Sequence, residues 1–297
     1  MEKAAIPFKG AATALITPMN DDLSVDFDSL GKLIDFQTDA GINAILILGT
    51  TGEAPTLSDD EKRRITVYSA EKIRGRVPLI VGVGTNDTKR SADMARWASK
   101  NGADAVLAVT PYYNKATDDG LIRHFFTIAD ECEKPVILYN IPSRTGVKIS
   151  LPVYEKLALH PNIAGVKEAS GDISAIAGLI SSVGGRFAVY SGNDAETVPV
   201  MALGGVGVFS VLSNIMPREV TAICSDMLCG RTRSAAGASA ELLPLTSALF
   251  SEVNPIPVKT ACGLLGMCTG ALRPPLCGMG EASRQKLIKE LKKKGLI

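Results

Sequence analysis

Histidine and paired cysteines are scarce in this sequence, which limits the chemistry that it supports. His124 and His160 are the only histidines among 297 residues, and no H-E-x-x-H motif occurs. The six cysteines form no C-x-x-C pair. The sequence therefore offers few ligands for a zinc site and few histidines for a Ser–His–Asp triad. We expect no metal, both histidines on helix surfaces, and cysteines that are reduced thiols buried as small hydrophobic residues.

An excess of one charge and long apolar runs are also absent. Lys and Arg number 32 against 31 Asp and Glu, which gives a net charge of +1. Because nucleic-acid binders carry a basic patch, we expect no nucleic-acid partner. No apolar run approaches the roughly 18 residues of a membrane span, and the first seven residues lack the hydrophobic region of a signal peptide. We therefore expect a cytoplasmic protein without a membrane partner.

Glycine-rich nucleotide fingerprints are missing too. The G-x-G pairs at residues 82–84 and 205–207 lack the third glycine of a dinucleotide site, and no G-x-x-x-x-G-K-[ST] motif occurs. Residues 204–210 fit the phosphate site that follows the seventh strand of some barrels, although glycines there also allow close packing. We keep phosphate binding as a minor alternative and expect no cofactor.

Short apolar runs alternate with longer stretches of helical periodicity along the chain. Near-continuous apolar runs are typical of strands buried on both faces of a parallel sheet. The eight runs are residues 13–16, 44–48, 79–83, 105–109, 136–139, 163–166, 187–190 and 206–209. Helices are predicted at residues 28–40, after a capping box that starts at Ser58, at residues 91–100 and at residues 117–133.

This alternation predicts an α/β fold, a (β/α)8 TIM barrel with a C-terminal helical extension. We place the catalytic barrel at residues 1–225 and an extension of two or three helices at residues 226–297. An open, doubly wound sheet is the alternative. Barrel active sites lie at the carboxyl ends of the strands, so the residues that follow each apolar run are the candidates for function.

Hydroxyl groups follow several of these runs. Residues 49–53 read Gly-Thr-Thr-Gly-Glu, a composition that can present backbone N–H groups to a small anion, although a tight turn capped by threonine would read the same. Tyr112 and Tyr113 follow the fourth run, and Tyr139 ends the fifth. Tyrosine hydroxyls can pass protons; the alternative is a packed ring with a satisfied hydroxyl.

Lys167 directly follows the sixth run, which directs its side chain into or just above the barrel mouth. A snorkelling surface lysine is the usual explanation of such a position. The functional interpretation is a Schiff-base nucleophile, which requires a neutral amine. Roughly one amine in 2,000 is neutral at pH 7 when its pKa is ordinary, whereas an apolar barrel mouth lowers the pKa and makes the amine nucleophilic.

Taken together, these strand ends resemble the pyruvate-dependent class I aldolase superfamily and, within it, the dihydrodipicolinate synthase family. The resemblance runs from residues 10–18 through residues 254–259 to residues 272–276. It implies a Schiff-base lyase that condenses pyruvate with L-aspartate 4-semialdehyde to give 4-hydroxy-tetrahydrodipicolinate, in diaminopimelate and lysine biosynthesis. It also implies a homotetramer built as a dimer of dimers.

The resemblance implies four catalytic residues. Lys167 forms the pyruvate imine, and Tyr139 relays protons in a triad that Thr50 and Tyr113 complete. In the family this second tyrosine reaches in from a neighbouring subunit, so that a solitary monomer lacks a complete site.

Four further positions are implied to bind substrate. Thr51 holds the pyruvate carboxylate, and Arg144 holds the carboxylate of the semialdehyde through a bidentate fork that lysine could not reproduce. Gly192 and the backbone of Phe209 line the pocket. The family usually carries isoleucine at this last position, so we expect the bulkier Phe209 to narrow the pyruvate side.

Arg144 and Thr51 also separate the family from its relatives. N-acetylneuraminate lyases typically carry serine in place of Thr51 and lack the arginine, and 2-keto-3-deoxy-sugar-acid aldolases match more loosely. A sibling lyase of this kind remains the alternative activity, and a barrel that has become a binding module is a third.

Lys62 and Arg90 bear on regulation. They stand where family members inhibited by lysine carry a histidine and a glutamate. Two cations repel a cationic amino acid, so we predict weak or absent inhibition by lysine.

Overall fold

The computed structural model of the chain describes residues 5–297, apart from the side chain of Arg186. Eight parallel strands pair in sequence order, and the last pairs with the first to close a barrel. The strands are β1 Gly10–Ala14, β2 Ala44–Ile47, β3 Leu79–Gly82, β4 Ala105–Val109, β5 Val136–Asn140, β6 Ile163–Glu168, β7 Ala188–Ser191 and β8 Gly207–Ser210. The prediction of a (β/α)8 barrel is confirmed.

Helices surround the barrel and continue beyond it. They are α1 Phe27–Asp39, α2 Asp59–Ile73, α3 Thr88–Lys100, α4 Asp118–Glu131, α5 Pro142–Thr145, α6 Leu151–Leu157, α7 Ile173–Val183, α8 Thr197–Ala202, α9 Pro217–Leu228, α10 Thr232–Leu249, α11 Ile256–Leu264 and α12 Glu281–Lys293. Helix α9 packs on β1 and β8, and α10 to α12 follow it. The predicted boundary after residue 225 lies within α9 and stays a prediction.

Side-chain caps decide where several helices begin. The capping box at Ser58 is present in both directions: the Ser58 hydroxyl accepts from the Glu61 amide, and the Glu61 carboxylate accepts from the Ser58 amide. The Asp87 carboxylate accepts from the Arg90 amide at 3.1 Å. Helix α3 therefore begins at Thr88, three residues before its predicted start.

Strand β1 begins earlier than its apolar run predicts. Gly10 pairs with Gly207 of β8, and a Cβ at Gly207 would lie 1.9 Å from the Gly10 carbonyl oxygen, so close contact of the two strands requires glycine there. Ile16 is buried, but its amide donates to the Asn214 side chain at 3.1 Å instead of to a strand. Burial of a side chain therefore does not reveal where the backbone ladder ends.

Alternation along the strands separates two packed layers. In β2, Ala44 and Leu46 face the barrel interior, whereas Ile45 and Ile47 face the surrounding helices. The interior also holds three aromatic rings from Phe8, Tyr190 and Phe209, whose centroids lie 4.5 to 5.3 Å apart. The interior is thus a packed core with space for chemistry only at its mouth.

The expectations for histidine and cysteine are wrong in part. His124 is 3% exposed because it lies on the apolar face of α4, where its Nδ1 forms a hydrogen bond of 2.9 Å with the Thr88 hydroxyl. Cys229 and Cys277 are exposed rather than buried, and Cys268 is half-buried. Helical periodicity alone did not indicate which face of α4 packs inward.

The described residues include neither a membrane-spanning helix nor a cluster of metal ligands. None of their helices has the length and apolarity needed to cross a membrane. No group of three or more His, Cys, Asp and Glu side chains in the same part of the chain could hold a metal ion.

Candidate active site

Lys167 lies at the mouth of the barrel, inside β6. It pairs in register with Tyr139 of β5 and Tyr190 of β7. Because Val166 faces the outer helices, alternation turns Lys167 inward. Its Nζ lies 4.3 Å from the centre of the Tyr139 ring and 5.5 Å from that of Phe209, and the residue is 5% exposed. The side chain is therefore enclosed by aromatic rings and does not reach the protein surface.

Burial makes the Lys167 ammonium lose its proton more easily than an exposed lysine does. Desolvation lowers its pKa to about 8, against an opposing attraction from the Asp194 carboxylate. At this pKa, about a tenth of the amine is neutral at pH 7. No carboxylate among the described residues reaches ion-pair distance of Nζ. The structure thus supplies the neutral amine that a Schiff-base nucleophile requires.

Tyr139 and Thr50 adjoin this amine. Tyr139 is 5% exposed, and Thr50, which follows β2, lines the same cavity and acts to lower the pKa of the Tyr139 hydroxyl. Burial raises the pKa of Tyr139 to about 12, although the Arg144 charge acts in the opposite direction. Tyr139 therefore keeps its proton at neutral pH and can pass it only as another is received.

Tyr113 stands apart from these three residues. It is 91% exposed and adopts a left-handed backbone, with φ 70°. Within one chain, the structure brings Lys167, Tyr139 and Thr50 together and leaves Tyr113 projecting into solvent.

The turn after β2 offers donors to an anion. The Gly52 amide donates to the Gly49 carbonyl, and the Glu53 amide donates to that of Thr50. Among the described residues, no carbonyl accepts from the amides of Thr50 or Thr51. Two N–H groups without a carbonyl partner, next to the buried Thr51 hydroxyl, are a set of donors that suits a carboxylate.

Arg144 lies on α5, immediately after β5. Its guanidinium is exposed, and Nη2 donates to the Asn254 carbonyl oxygen at 3.0 Å. Arg144, Thr50 and Tyr139 line one cavity of about 1090 Å³. A bidentate cation at the rim of this cavity can hold a second carboxylate.

Gly192 and Phe209 shape the walls. The Gly192 amide donates to the Glu168 carbonyl at 2.7 Å, and a Cβ at Gly192 would lie 2.6 Å from that of Ala169, so only glycine fits between the ends of β6 and β7. Phe209 is fully buried and packs edge-on against Phe8 and Tyr190. Its ring therefore belongs to the packed interior on which Lys167 rests.

A buried ion pair behind the Thr50–Thr51 turn was missed by the sequence analysis. Lys259 Nζ of α11 lies 2.5 Å from Glu53 Oε1, with both side chains fully buried. The other carboxylate oxygen of Glu53 accepts from the Arg273 amide at 3.0 Å. Glu53 and Lys259 are 206 residues apart in the sequence, so no local sequence pattern could have paired them.

The same C-terminal segment also holds the start of α2. The Arg273 guanidinium binds both carboxylate oxygens of Glu61, at 2.5 and 2.9 Å, and this contact lowers the pKa of Glu61 to about 2. The extension thus contacts both the turn that carries Thr50 and Thr51, through Glu53, and the start of α2, through Glu61.

Lys62 and Arg90 line the outer part of the same cavity. Arg90 Nη2 lies 2.7 Å from Asp59 Oδ1, and Lys62 Nζ lies 3.9 Å from the same atom. Asp59 therefore offsets part of the positive charge of these two side chains. Weak inhibition by lysine stays a prediction.

Comparison with known proteins agrees with the architecture of the site. The model of the dihydrodipicolinate synthetase family matches residues 7–294. 4-Hydroxy-tetrahydrodipicolinate synthase 1 of Clostridium acetobutylicum is 47% identical over 290 residues, which cover 98% of this chain and 99% of the relative.

Solved structures agree as well. Dihydrodipicolinate synthase from Aquifex aeolicus shares 44% identity with a TM-score of 0.96, over 97% of this chain and 99% of that one. A structure described as the first monomeric dihydrodipicolinate synthase variant shares 39% identity with a TM-score of 0.95, over 98% of each chain.

The fold is a (β/α)8 barrel that holds a buried lysine amine at its mouth. Within that class, the chain belongs to the dihydrodipicolinate synthetase family, whose model covers nearly its whole length. The resemblance inferred from the strand ends is confirmed.

Proposed function

We propose that this protein is a lyase that condenses pyruvate with L-aspartate 4-semialdehyde to give 4-hydroxy-tetrahydrodipicolinate, in the biosynthesis of diaminopimelate and lysine. The observation that carries the proposal is the Lys167 amine, which is buried without an ion-pair partner against the ring of Tyr139. Relatives named 4-hydroxy-tetrahydrodipicolinate synthase along nearly the whole chain favour this activity over that of a sibling lyase.

Lys167 provides the covalent step. Its neutral amine attacks the ketone carbon of pyruvate, and loss of water leaves an iminium that withdraws electrons from the methyl group. Removal of a methyl proton gives an enamine, whose carbon attacks the aldehyde carbon while the aldehyde oxygen gains a proton. The amine of the semialdehyde portion then attacks the imine carbon, releases Lys167 and closes the ring.

Tyr139 and Thr50 move the protons in these steps. Since the pKa of Tyr139 is about 12, the phenol gives up its proton only in concert with receiving one. Thr50, which lines the same cavity as Tyr139, supplies the next member of that chain. Tyr113 of a neighbouring copy completes the relay, which is why the exposed ring is left unpacked in a single chain.

Two carboxylate sites set the substrate class. The Thr51 hydroxyl and the amides of Thr50 and Thr51 bind the carboxylate of pyruvate. Arg144 binds that of the semialdehyde with two parallel hydrogen bonds. Gly192 and the Phe209 backbone line the pyruvate side, and the Phe209 ring narrows it.

The protein functions as a homo-oligomer in the cytoplasm, and a homotetramer built as a dimer of dimers is the arrangement proposed. The 91% exposure of Tyr113 supports an interface at this position. A relative described as the first monomeric variant indicates that oligomers are usual in the family. Tyr113→Phe is expected to lower kcat about tenfold or more. An unchanged kcat would remove Tyr113 from the relay.

Consumption of pyruvate and L-aspartate 4-semialdehyde by the pure protein tests the proposal, with the product coupled to its NADPH-dependent reductase. We expect steady oxidation of NADPH that requires both substrates. If pyruvate is trapped on the protein by borohydride but the semialdehyde is not consumed, the activity is that of a sibling lyase, and N-acetylneuraminate is the substrate to assay next.

A further inference from the structure

Asn254, in the segment that leads into α11, contacts both proposed carboxylate sites. Its side-chain Nδ2 donates to the Thr51 hydroxyl oxygen at 3.0 Å. Its backbone carbonyl accepts from Arg144 Nη2 at 3.0 Å. One residue from the C-terminal extension thus joins the site for the 2-oxo acid to the site for the aldehyde.

The direction of the Thr51 contact fixes what the hydroxyl can do. A threonine hydroxyl has one hydrogen to donate and lone pairs to accept, whereas an amide nitrogen only donates. Since Thr51 accepts from Asn254, its own hydrogen is not used in that bond. No acceptor for this hydrogen exists among the described residues. It remains available to a substrate.

The Asn254 amide holds this orientation although it leaves an atom unsatisfied. Its Oδ1 is buried and has no hydrogen-bond partner among the described residues. In the opposite orientation, Oδ1 would accept the Thr51 hydrogen and withdraw that donor from the pocket. Buried polar atoms without partners are rare in native proteins and call for an explanation, and a role in the site supplies one.

We infer that Asn254 is a positioning residue that keeps the Thr51 hydroxyl turned as a donor toward the carboxylate of the 2-oxo acid. The inference rests on the proposed function, because it assumes that Thr51 binds this carboxylate. With the amides of Thr50 and Thr51, the oriented hydroxyl makes the site one of donors only. Such a site selects an anion whose oxygens all accept hydrogen bonds, as those of a carboxylate do.

The extension holds Asn254 firmly in place. Helix α11 begins two residues later, and its Lys259 forms the buried ion pair with Glu53. Glu53 in turn lies two residues after Thr51. The two partners of the Asn254–Thr51 hydrogen bond are therefore anchored to each other through a second, independent contact.

Asn254→Asp and Asn254→Ala test the inference in the assembled protein. The aspartate has the same shape but only accepts, so it takes the Thr51 hydrogen and adds a repelling charge. We expect KM for pyruvate to rise about thirtyfold or more for Asn254→Asp and about fivefold for Asn254→Ala. KM for the semialdehyde should change less than about twofold in Asn254→Ala, because the carbonyl that contacts Arg144 is retained.

A double-substitution cycle separates orientation from folding. In a Thr51→Val background, which has no hydroxyl to orient, Asn254→Ala should raise KM for pyruvate by less than about twofold. Val253→Ala is the matched control, since Val253 precedes Asn254 and is exposed. Equal loss of kcat and of both substrate affinities, or an unchanged KM for pyruvate, overturns the inference.

Borohydride trapping gives a readout that does not depend on the second substrate. Half-saturation of trapping by pyruvate should shift in the same ratio as KM for each variant. If the wild-type protein traps no pyruvate, the proposed function itself is wrong. If it traps pyruvate and the variants show the wild-type half-saturation, only the role of Asn254 is wrong.

Discussion

Two buried lysines in this protein differ in what surrounds them rather than in how deeply they lie. Lys167 is 5% exposed and Lys259 is 0% exposed. Lys259 lies 2.5 Å from the Glu53 carboxylate, whereas Lys167 faces the rings of Tyr139 and Phe209. Desolvation lowers the pKa of both amines. A carboxylate charge opposes the change in each, but Glu53 also accepts a hydrogen bond from Lys259, whereas Asp194 acts on Lys167 from beyond ion-pair distance.

The comparison shows how one side chain serves two purposes. An ammonium paired with a buried carboxylate keeps its charge and joins two segments of the chain. An amine without such a partner loses its proton more readily and becomes a nucleophile. The partner, and not burial alone, distinguishes the structural lysine from the catalytic one.

Removal of each amine should separate the two roles most strongly. We expect Lys167→Ala to lower turnover by about four orders of magnitude or more, since the covalent intermediate cannot form. The Glu53→Gln/Lys259→Met variant removes the ion pair in full and should keep turnover within about tenfold of wild type. Steady-state rates of both proteins check this. Similar losses in the two would contradict the assignment.

The free energy of unfolding should respond in the opposite order, because loss of the Lys259 amine should destabilise the fold and loss of the Lys167 amine should not. Lys259→Met leaves the Glu53 carboxylate buried without a cation, and we expect the free energy of unfolding to fall by about 3–5 kcal/mol. Adding Glu53→Gln should restore most of this loss. Denaturant unfolding at a fixed protein concentration measures both effects. A loss below about 1 kcal/mol for Lys259→Met would mean that the pair contributes little.

Replacement of Lys167 by an apolar side chain should instead stabilise the fold. Its pKa falls from 10.5 to about 8 on folding, so holding the charge at pH 7 costs about 3 kcal/mol. Lys167→Met removes this cost and should be more stable than wild type by that amount. Unfolding curves at pH 7 provide the comparison.

The shift in the pKa of Lys167 on folding also determines how the difference in unfolding free energy between Lys167→Met and wild type depends on pH. Between pH 8 and 10.5 the unfolded chain binds more protons than the folded one, so wild-type stability rises with pH through that window. The advantage of Lys167→Met should therefore shrink as pH rises from 8 to 10.5. A constant difference would show that the substitution acts through packing.

The pH dependence of catalysis is the smallest of these effects. If neutral Lys167 is the nucleophile, kcat/KM for pyruvate should rise about tenfold per pH unit below pH 8 and level off above it. Rates from pH 6 to 9.5 in buffers of constant ionic strength test this. A profile that still rises steeply above pH 9 would show that the amine has its ordinary pKa.

The sequence was sufficient for the barrel and for the ends of the strands that carry the site, although not for the bounds of β1. Eight apolar runs reflect strands buried on both faces, and this signal is local. Lys167, Tyr139 and Thr50 each lie at the end of such a run, and barrel closure brings these ends together. Residues that a local pattern places at separate strand ends thus come together in one site when the barrel closes.

The contacts that support the site could not be predicted in this way. Glu53 and Lys259, or Thr51 and Asn254, are separated by about two hundred residues and join only when the extension packs over the turn after β2. Val258 precedes Lys259 much as Val166 precedes Lys167, so the local sequence gives both lysines the same appearance. Only the positions of the carboxylates in space distinguish them.

Mapping the site of pyruvate attachment tests the central claim most directly. The protein is incubated with pyruvate, reduced with borohydride and digested, and the modified lysine is identified by mass spectrometry. The account predicts that the adduct lies on Lys167 and that it disappears in Lys167→Ala while persisting in the Glu53→Gln/Lys259→Met variant. An adduct on Lys259, or one that survives Lys167→Ala, would contradict it.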